Sequence, residues 1–212
     1  MKKTFFLLLL ISSAVLQAQY YRATLLMVDG SSKEGFSKLP SNQMLDKKIE
    51  FKEAKRSPVQ KIEEDEVHRI LVTSDAGDQF LFERNNVVHL FKAYGKQWEK
   101  EKVNKHWMLL IHANDVLQEY SLAQRYKFDK KDRLMSITGA HSFWETIYFL
   151  LRKYDEEKAY IVSGKGFTNG MVRKAMAIYF EDLPEFVERI ENKEFKKANV
   201  SDVADAYAEY FD

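Results

Sequence analysis

The sequence contains no cysteine among its 212 residues, and it has only 8 glycines and 3 prolines. The absence of cysteine excludes disulfides, thiol nucleophiles, iron–sulfur clusters and cysteine-ligated zinc. Charge is nearly balanced, with 33 basic and 32 acidic side chains, so no broad positive field exists and we expect no nucleic-acid partner. A hydrophobic content of 45% and an aromatic content of 14% indicate a globular protein.

Long apolar runs are also scarce, and the one at residues 5–16 directly follows two lysines. A short basic segment, an apolar run and a small or polar ending form the pattern of a secretory signal peptide. Twelve residues are fewer than the roughly 20 that span a bilayer, which argues against a retained membrane anchor. We therefore expect residues 1–18 to be a signal peptide cleaved between Ala18 and Gln19. The mature chain is then a soluble periplasmic or extracellular protein without a transmembrane segment.

The region after the signal, up to residue 166, has the alternating runs and compact turns of antiparallel strands. Asp29-Gly30 is a typical hairpin turn. Five hairpins are predicted, at 23–28 with a return strand from 35, 70–73 with 79–83, 107–112 with 116–122, 126–128 with 134–137, and 146–153 with 159–162, together with a strand at 48–52. Consecutive hairpins favour an antiparallel meander that is barrel-like or sandwich-like.

Two changes in composition suggest a division of the mature chain. Residues 92–105 are rich in lysine and glutamate and are the most linker-like stretch, which separates an N-terminal β-rich region (19–105) from a second β-rich region (106–166). Helical spacing begins after residue 166, so 167–212 is predicted to be a C-terminal helical region and the fold class to be α+β.

Three helices are predicted in the C-terminal region. Thr168 or Asn169 is expected to cap the first helix, and Asp182 followed by Glu185 resembles a capping box for the second. The third has an apolar stripe opposite its acidic residues, which predicts that it docks on the protein rather than forming a loose tail. The stripe consists of Val200, Val203, Ala204, Tyr207, Tyr210 and Phe211.

No recognised catalytic or metal-binding pattern is present. The chain has no HExxH helix and no GxSxG elbow, so we predict no metal, no cofactor and no identifiable catalytic residue. The acidic run 63–66 is expected to be solvated surface. Aromatic side chains usually pack in cores, and the alternative is a ligand platform formed by Trp107, Trp144 and His141.

Both ends of the chain resemble exported proteins of unknown function from Bacteroidetes-type bacteria. The resemblance lies in the signal ending Gln17-Ala18-Gln19, in segments 23–25, 29–30 and 33–36, and in segments 179–184, 193–195 and 210–211. These motifs are turns, caps and apolar spacings, so the resemblance implies export from a Gram-negative cell and no catalytic residue.

The sequence favours a non-catalytic binding or structural module of the cell envelope, whose partner is an envelope protein or a small ligand. The alternative is a secreted or periplasmic hydrolase whose histidines and acidic residues meet only in the fold. A cleft in which His112 or His141 lies within hydrogen-bonding reach of a serine or carboxylate would favour the hydrolase. A closed apolar core with an exposed aromatic patch would favour the binding module.

Overall fold

The computed structural model describes residues 19–43, 47–93, 96–101, 105–139, 146–195 and 200–211. It confirms the α+β class, with antiparallel strands first and three helices at the C-terminus. The strands are β1 Tyr21–Met27, β2 Ser32–Ser37, β3 Lys48–Lys52, β4 Gln60–Glu63, β5 Val67–Thr73, β6 Gln79–Ala93, β7 Lys96–Glu101, β8 His106–Ala113, β9 Leu117–Leu122, β10 Arg125–Phe128, β11 Leu134–Ile137, β12 Tyr148–Lys153 and β13 Lys158–Gly164. The helices are α1 Asn169–Tyr179, α2 Pro184–Glu191 and α3 Val200–Ala208, and a 3-10 turn covers Glu64–Glu66.

The N-terminal strands form a sheet in the order β6-β5-β1-β2-β3-β4. The tight turns of its β1–β2 and β5–β6 hairpins contain Gly30 and Gly77, whose φ angles of 85° and 97° suit glycine. Alternate residues of β1 and β5, including Leu25 and Ile70, point to one buried face. The separate β10–β11 hairpin packs against this apolar cluster through Phe128, whose ring centroid lies 4.7 Å from that of Tyr21.

A closed five-stranded barrel follows, formed by β6, β8, β9, β12 and β13. Neighbouring strands are antiparallel, and the barrel closes where β13 pairs in parallel with residues 86–89 of β6. The first part of the long strand β6 pairs with β5, so β6 belongs to both the N-terminal sheet and the barrel. Apolar residues that alternate along the strands, such as Tyr120, Leu150 and Ile161, form a cluster of their own inside the barrel.

The helices cover the outer surface of the barrel. Leu117 and Val162 belong to the same buried cluster as Phe186 of α2 and Tyr207 of α3. As a result, all six residues of β9 are buried, because one face looks into the barrel and the other meets the helices. This two-sided burial determines the chemistry of the polar residues on β9.

The local helix predictions hold in part. Thr168 caps α1, because its side chain accepts a hydrogen bond from the backbone N–H of Met171. The predicted capping box of α2 is wrong. Leu183 occupies the cap position, and the Asp182 carboxylate instead binds the ammonium group of Lys153 at 2.8 Å.

The third helix docks as its apolar stripe predicted, with Val200, Val203, Ala204 and Tyr207 buried. It ends at Ala208, however, so Tyr210 and Phe211 lie beyond the regular helix and are partly exposed, Phe211 to 57%. Each ring still contacts a buried aromatic side chain, Tyr210 contacting Phe186 and Phe211 contacting Tyr207.

Two polar segments contain structure that their composition did not indicate. Part of the linker-like stretch 92–105 forms β7, which pairs with the end of β6. The acidic run 63–66 is not wholly solvated, because Glu64 is buried and accepts a 2.7 Å hydrogen bond from the indole N–H of Trp107. A glutamate in an acidic run becomes buried here because a distant strand supplies its partner.

Candidate functional site

A largely apolar pocket lies where the start of α3 meets the outer surface of the barrel. Its volume is about 390 Å³, which falls in the range of small-molecule sites. The lining combines apolar side chains with one buried carboxyl group and two polar residues near the end of β13. The lining residues are Glu119, Ile147, Phe149, Ser163, Gly164, Lys165 and Val200.

Glu119 gives this pocket its chemical character. It sits on the outward face of β9, in line with Leu117, and only 2% of it is exposed because α3 lies over that face. The Ser201 hydroxyl of α3 donates a 2.6 Å hydrogen bond to the Glu119 carboxylate. Among the described lining residues, Glu119 is the one acid and lies beside apolar side chains, a combination that fixes the orientation of a bound molecule.

The electrostatic setting favours the neutral form of this acid. Burial raises the pKa of Glu119 above the usual value of a glutamate, because the charged form loses its hydration. The Ser201 hydrogen bond and the charge of His112 lower the pKa, whereas the charges of Asp205 and Asp202 raise it. The net effect is a raised pKa, as found for acids at many functional sites.

His112 lies beside this site and ties α3 to the barrel. It is the backbone pairing partner of Glu119 across β8 and β9, and its Nε2 lies 2.7 Å from Oδ1 of Asp205. Asn114 at the β8–β9 turn donates a 2.9 Å hydrogen bond to the carbonyl of Ala204. These two polar contacts fix α3 one turn beyond Ser201, the residue that contacts Glu119.

A second buried polar cluster lies inside the barrel, where an arginine forms an ion pair with a glutamate. Arg152 Nη1 lies 2.6 Å from Oε1 of Glu83, and the Tyr120 hydroxyl donates to Oε2 at 2.9 Å. The guanidinium of Arg152 also donates to the Gln118 side-chain carbonyl. Burial favours a raised pKa for Glu83, but the hydrogen bond and charge of Arg152, together with the charge of Arg69 and the Tyr120 hydrogen bond, lower it overall. Because these described side chains bind one another inside the barrel, we assign the network a structural role.

The predicted ligand platform is only partly visible. Trp107 is 1% exposed, and its backbone is held by the side chain of Asn42, which accepts from its N–H at 2.7 Å and donates to its carbonyl at 2.8 Å. His141 and Trp144 lie outside the described residues. The structure therefore places Trp107 in the core of the N-terminal sheet, and the platform as a whole stays a prediction.

The residues of the Glu119 pocket were not singled out from the sequence. The alternating apolar residues on β9 indicate a strand, but Glu119 and Ser121 on one face make that face resemble a solvated surface. Only the docking of α3 buries it. The one available signal was the predicted apolar stripe on α3, which requires a receiving surface elsewhere in the chain.

Neither a membrane helix nor a metal site emerges from the described parts of the chain. Among those residues, no helix is both long and apolar enough to cross a bilayer, and no three His, Asp or Glu side chains converge as ligands. Comparison of the chain with protein-family models, with curated proteins and with solved structures finds no match.

Proposed function

We propose that this protein is an exported, non-catalytic binding module of the bacterial cell envelope, and that it holds a small, mainly apolar ligand in the Glu119 pocket. The observation that carries the binding proposal is the apolar pocket of about 390 Å³ with one buried carboxyl group. Export and the envelope location rest on the N-terminal sequence pattern.

The construction of the pocket supports binding. Most of its described lining residues belong to hydrogen-bonded strands and to a helix fixed by polar contacts, which reduces the conformational entropy lost when a ligand enters. Ile147, Phe149 and Val200 supply apolar contact area, which contributes roughly 25 cal/mol for each Å² removed from water. The carboxyl group of Glu119 adds orientation.

A fluorescent apolar probe tests this function directly. N-phenyl-1-naphthylamine should bind the mature protein saturably, and Val200→Phe should abolish binding because the added ring fills the pocket. Val59→Phe is the matched control, since Val59 is exposed and lies outside the pocket. Circular dichroism would establish that both variants fold. Absence of saturable binding, or equal binding by Val200→Phe, would contradict the proposal.

One observation favours the hydrolase as a second candidate. His112 is within hydrogen-bonding distance of a carboxylate, and Ser201 lies on the same short helix as that carboxylate, Asp205. The Ser201 hydroxyl donates to Glu119 rather than to an imidazole, which is not the arrangement of an activated nucleophile. Hydrolysis of p-nitrophenyl butyrate that disappears in both Ser201→Ala and His112→Gln would favour the enzyme. Background rates in all three proteins would eliminate it.

A further inference from the structure

We propose that the Glu119 pocket selects an amphipathic cation, meaning a molecule with an apolar body and a single ammonium group. This inference rests on the proposed function and specifies the class of ligand. The ammonium group contacts the Glu119 carboxylate, and the apolar body lies against Phe149, Ile147 and Val200.

Among the described residues, the charges of α3 that act on Glu119 are negative. From α3, Asp202 and Asp205 act on Glu119, and both disfavour its ionisation. From β8, His112 is the charged neighbour among these that favours ionisation of Glu119, and it is already paired with Asp205. Lys165, in the turn after β13, lines the pocket with an exposed side chain. Among the described residues, Glu119 is the buried ionisable group of the lining and Lys165 is exposed, so the buried end of the pocket favours a cation over an anion.

The hydrogen-bonding capacity of the acid leads to the same ligand class. A carboxylate offers about four acceptor positions and Ser201 uses one of them. An ammonium group brings three donors and a positive charge, and charge-assisted hydrogen bonds are about twice as strong as neutral ones. An alcohol of the same length makes the hydrogen bond without the charge, whereas a carboxylic acid anion is repelled.

Binding of a cation also changes the protonation of the site. Burial makes Glu119 easier to protonate than an ordinary glutamate, whereas an ammonium ligand favours the ionised form. Glu119 therefore loses a proton to solvent when the ligand binds near or below its raised pKa. Affinity should rise with pH as Glu119 ionises and should fall again only when the amine itself loses its proton, at about pH 10.

Three probes of equal length separate charge from apolar contact. Hexylamine, 1-hexanol and hexanoate are titrated calorimetrically into the mature protein at pH 7. We expect hexylamine to bind at least about tenfold more tightly than 1-hexanol, and hexanoate more weakly than both. In Glu119→Gln, the affinity for hexylamine should fall to that for 1-hexanol, while the affinity for 1-hexanol should change by less than about threefold.

The matched control is Glu156→Gln. Glu156 is also a partly buried acid with a raised pKa, caused first by burial, but it contacts Tyr179 and lies outside this pocket. The preference for hexylamine should survive this change. Repeating the titration in buffers of different ionisation enthalpy measures proton release, which Glu119→Gln should abolish.

The possible failures are distinguishable. Equal affinity for hexylamine and 1-hexanol, lost in Val200→Phe, overturns the cation preference and leaves the pocket as an apolar binding site. No binding of any probe overturns both the preference and the proposed function. A hexylamine preference that persists in Glu119→Gln overturns the assignment of the ammonium group to this carboxylate.

Discussion

The paired charges inside the barrel allow a quantitative test of how the fold is stabilised. Arg152→Met removes the guanidinium that lies 2.6 Å from Glu83, whose carboxylate is 1% exposed. Arg69 Nε, 3.4 Å away, and the Tyr120 hydroxyl remain near the carboxylate. Breaking a buried ion pair by removing one partner costs about 3–5 kcal/mol. For a chain of this size each kcal/mol lowers Tm by about 2–4 °C, so we expect a decrease of roughly 6–20 °C.

Removing both charges should cost less than removing one. In Glu83→Leu/Arg152→Met, the Tyr120 hydroxyl retains an acceptor in the Gln118 side chain, 3.1 Å away. An apolar replacement for a buried ion pair is often close to neutral in stability. The double variant should therefore be more stable than Arg152→Met, and the coupling energy of the cycle should exceed about 1 kcal/mol.

Urea denaturation at pH 7 measures these differences, with Arg133→Met as the surface control. Arg133 pairs with Asp129 on the exposed β10–β11 hairpin, where such a pair is worth at most about 1 kcal/mol. The lowered pKa of Glu83 means that its stabilising effect is present above the unfolded pKa and is lost as pH falls through the folded pKa. Arg152→Met should flatten this acid dependence. A loss below 1 kcal/mol, or additive losses in the double variant, would refute the reasoning.

Three further predictions concern the last helix, the buried acid and the N-terminus. Tyr207→Ala should lower the free energy of unfolding by about 2–4 kcal/mol because the Tyr207 ring is buried. Glu209→Ala should change it by less than about 0.5 kcal/mol because Glu209 is exposed. Equal effects of the two variants in urea denaturation would contradict the docking of α3. Because the pKa of Glu119 is raised, the free energy of unfolding should decline as pH rises from the unfolded pKa through the folded pKa, and Glu119→Gln should remove this decline. Thermal melts from pH 4 to 8 that overlay for the unmodified protein and Glu119→Gln would exclude this prediction. Intact mass after expression in a Gram-negative host should show a chain beginning at or near Gln19, and uncleaved protein in the inner membrane would disprove the signal.

The strands and helices could be predicted because their signals are local. Asp29-Gly30 and the turn at 75–78 mark hairpins whose two strands are adjacent in sequence, and each predicted hairpin is present. The apolar spacing of α3 likewise predicted its buried face. β4 was missed, since its four residues have too few alternations to distinguish a strand from a loop.

The closure of the barrel and the candidate site could not be predicted because they depend on distant partners. β13 closes the barrel against residues 86–89, more than 70 positions earlier in the chain, and no turn signal connects the two strands. The burial of two acids, Glu64 and Glu83, likewise depends on residues far away in the sequence. Glu64 and Glu83 look like surface residues in their own segments, and Trp107 and Arg152 from other strands make their burial possible.

The barrel strands carry two buried carboxylates, Glu83 and Glu119, whose pKa values shift in opposite directions. Inside the barrel, Glu83 faces the Arg152 guanidinium and its pKa is lowered, so the charged form belongs to the folded state. On the opposite side of β9, the described residues that face Glu119 include a serine hydroxyl and an imidazole, and its pKa is raised. The fold is thus able to neutralise a buried acid with an arginine, yet Glu119 is kept in an apolar pocket without one. A buried acid in that state lowers stability at neutral pH, and a cationic ligand that offsets this cost would gain the corresponding affinity.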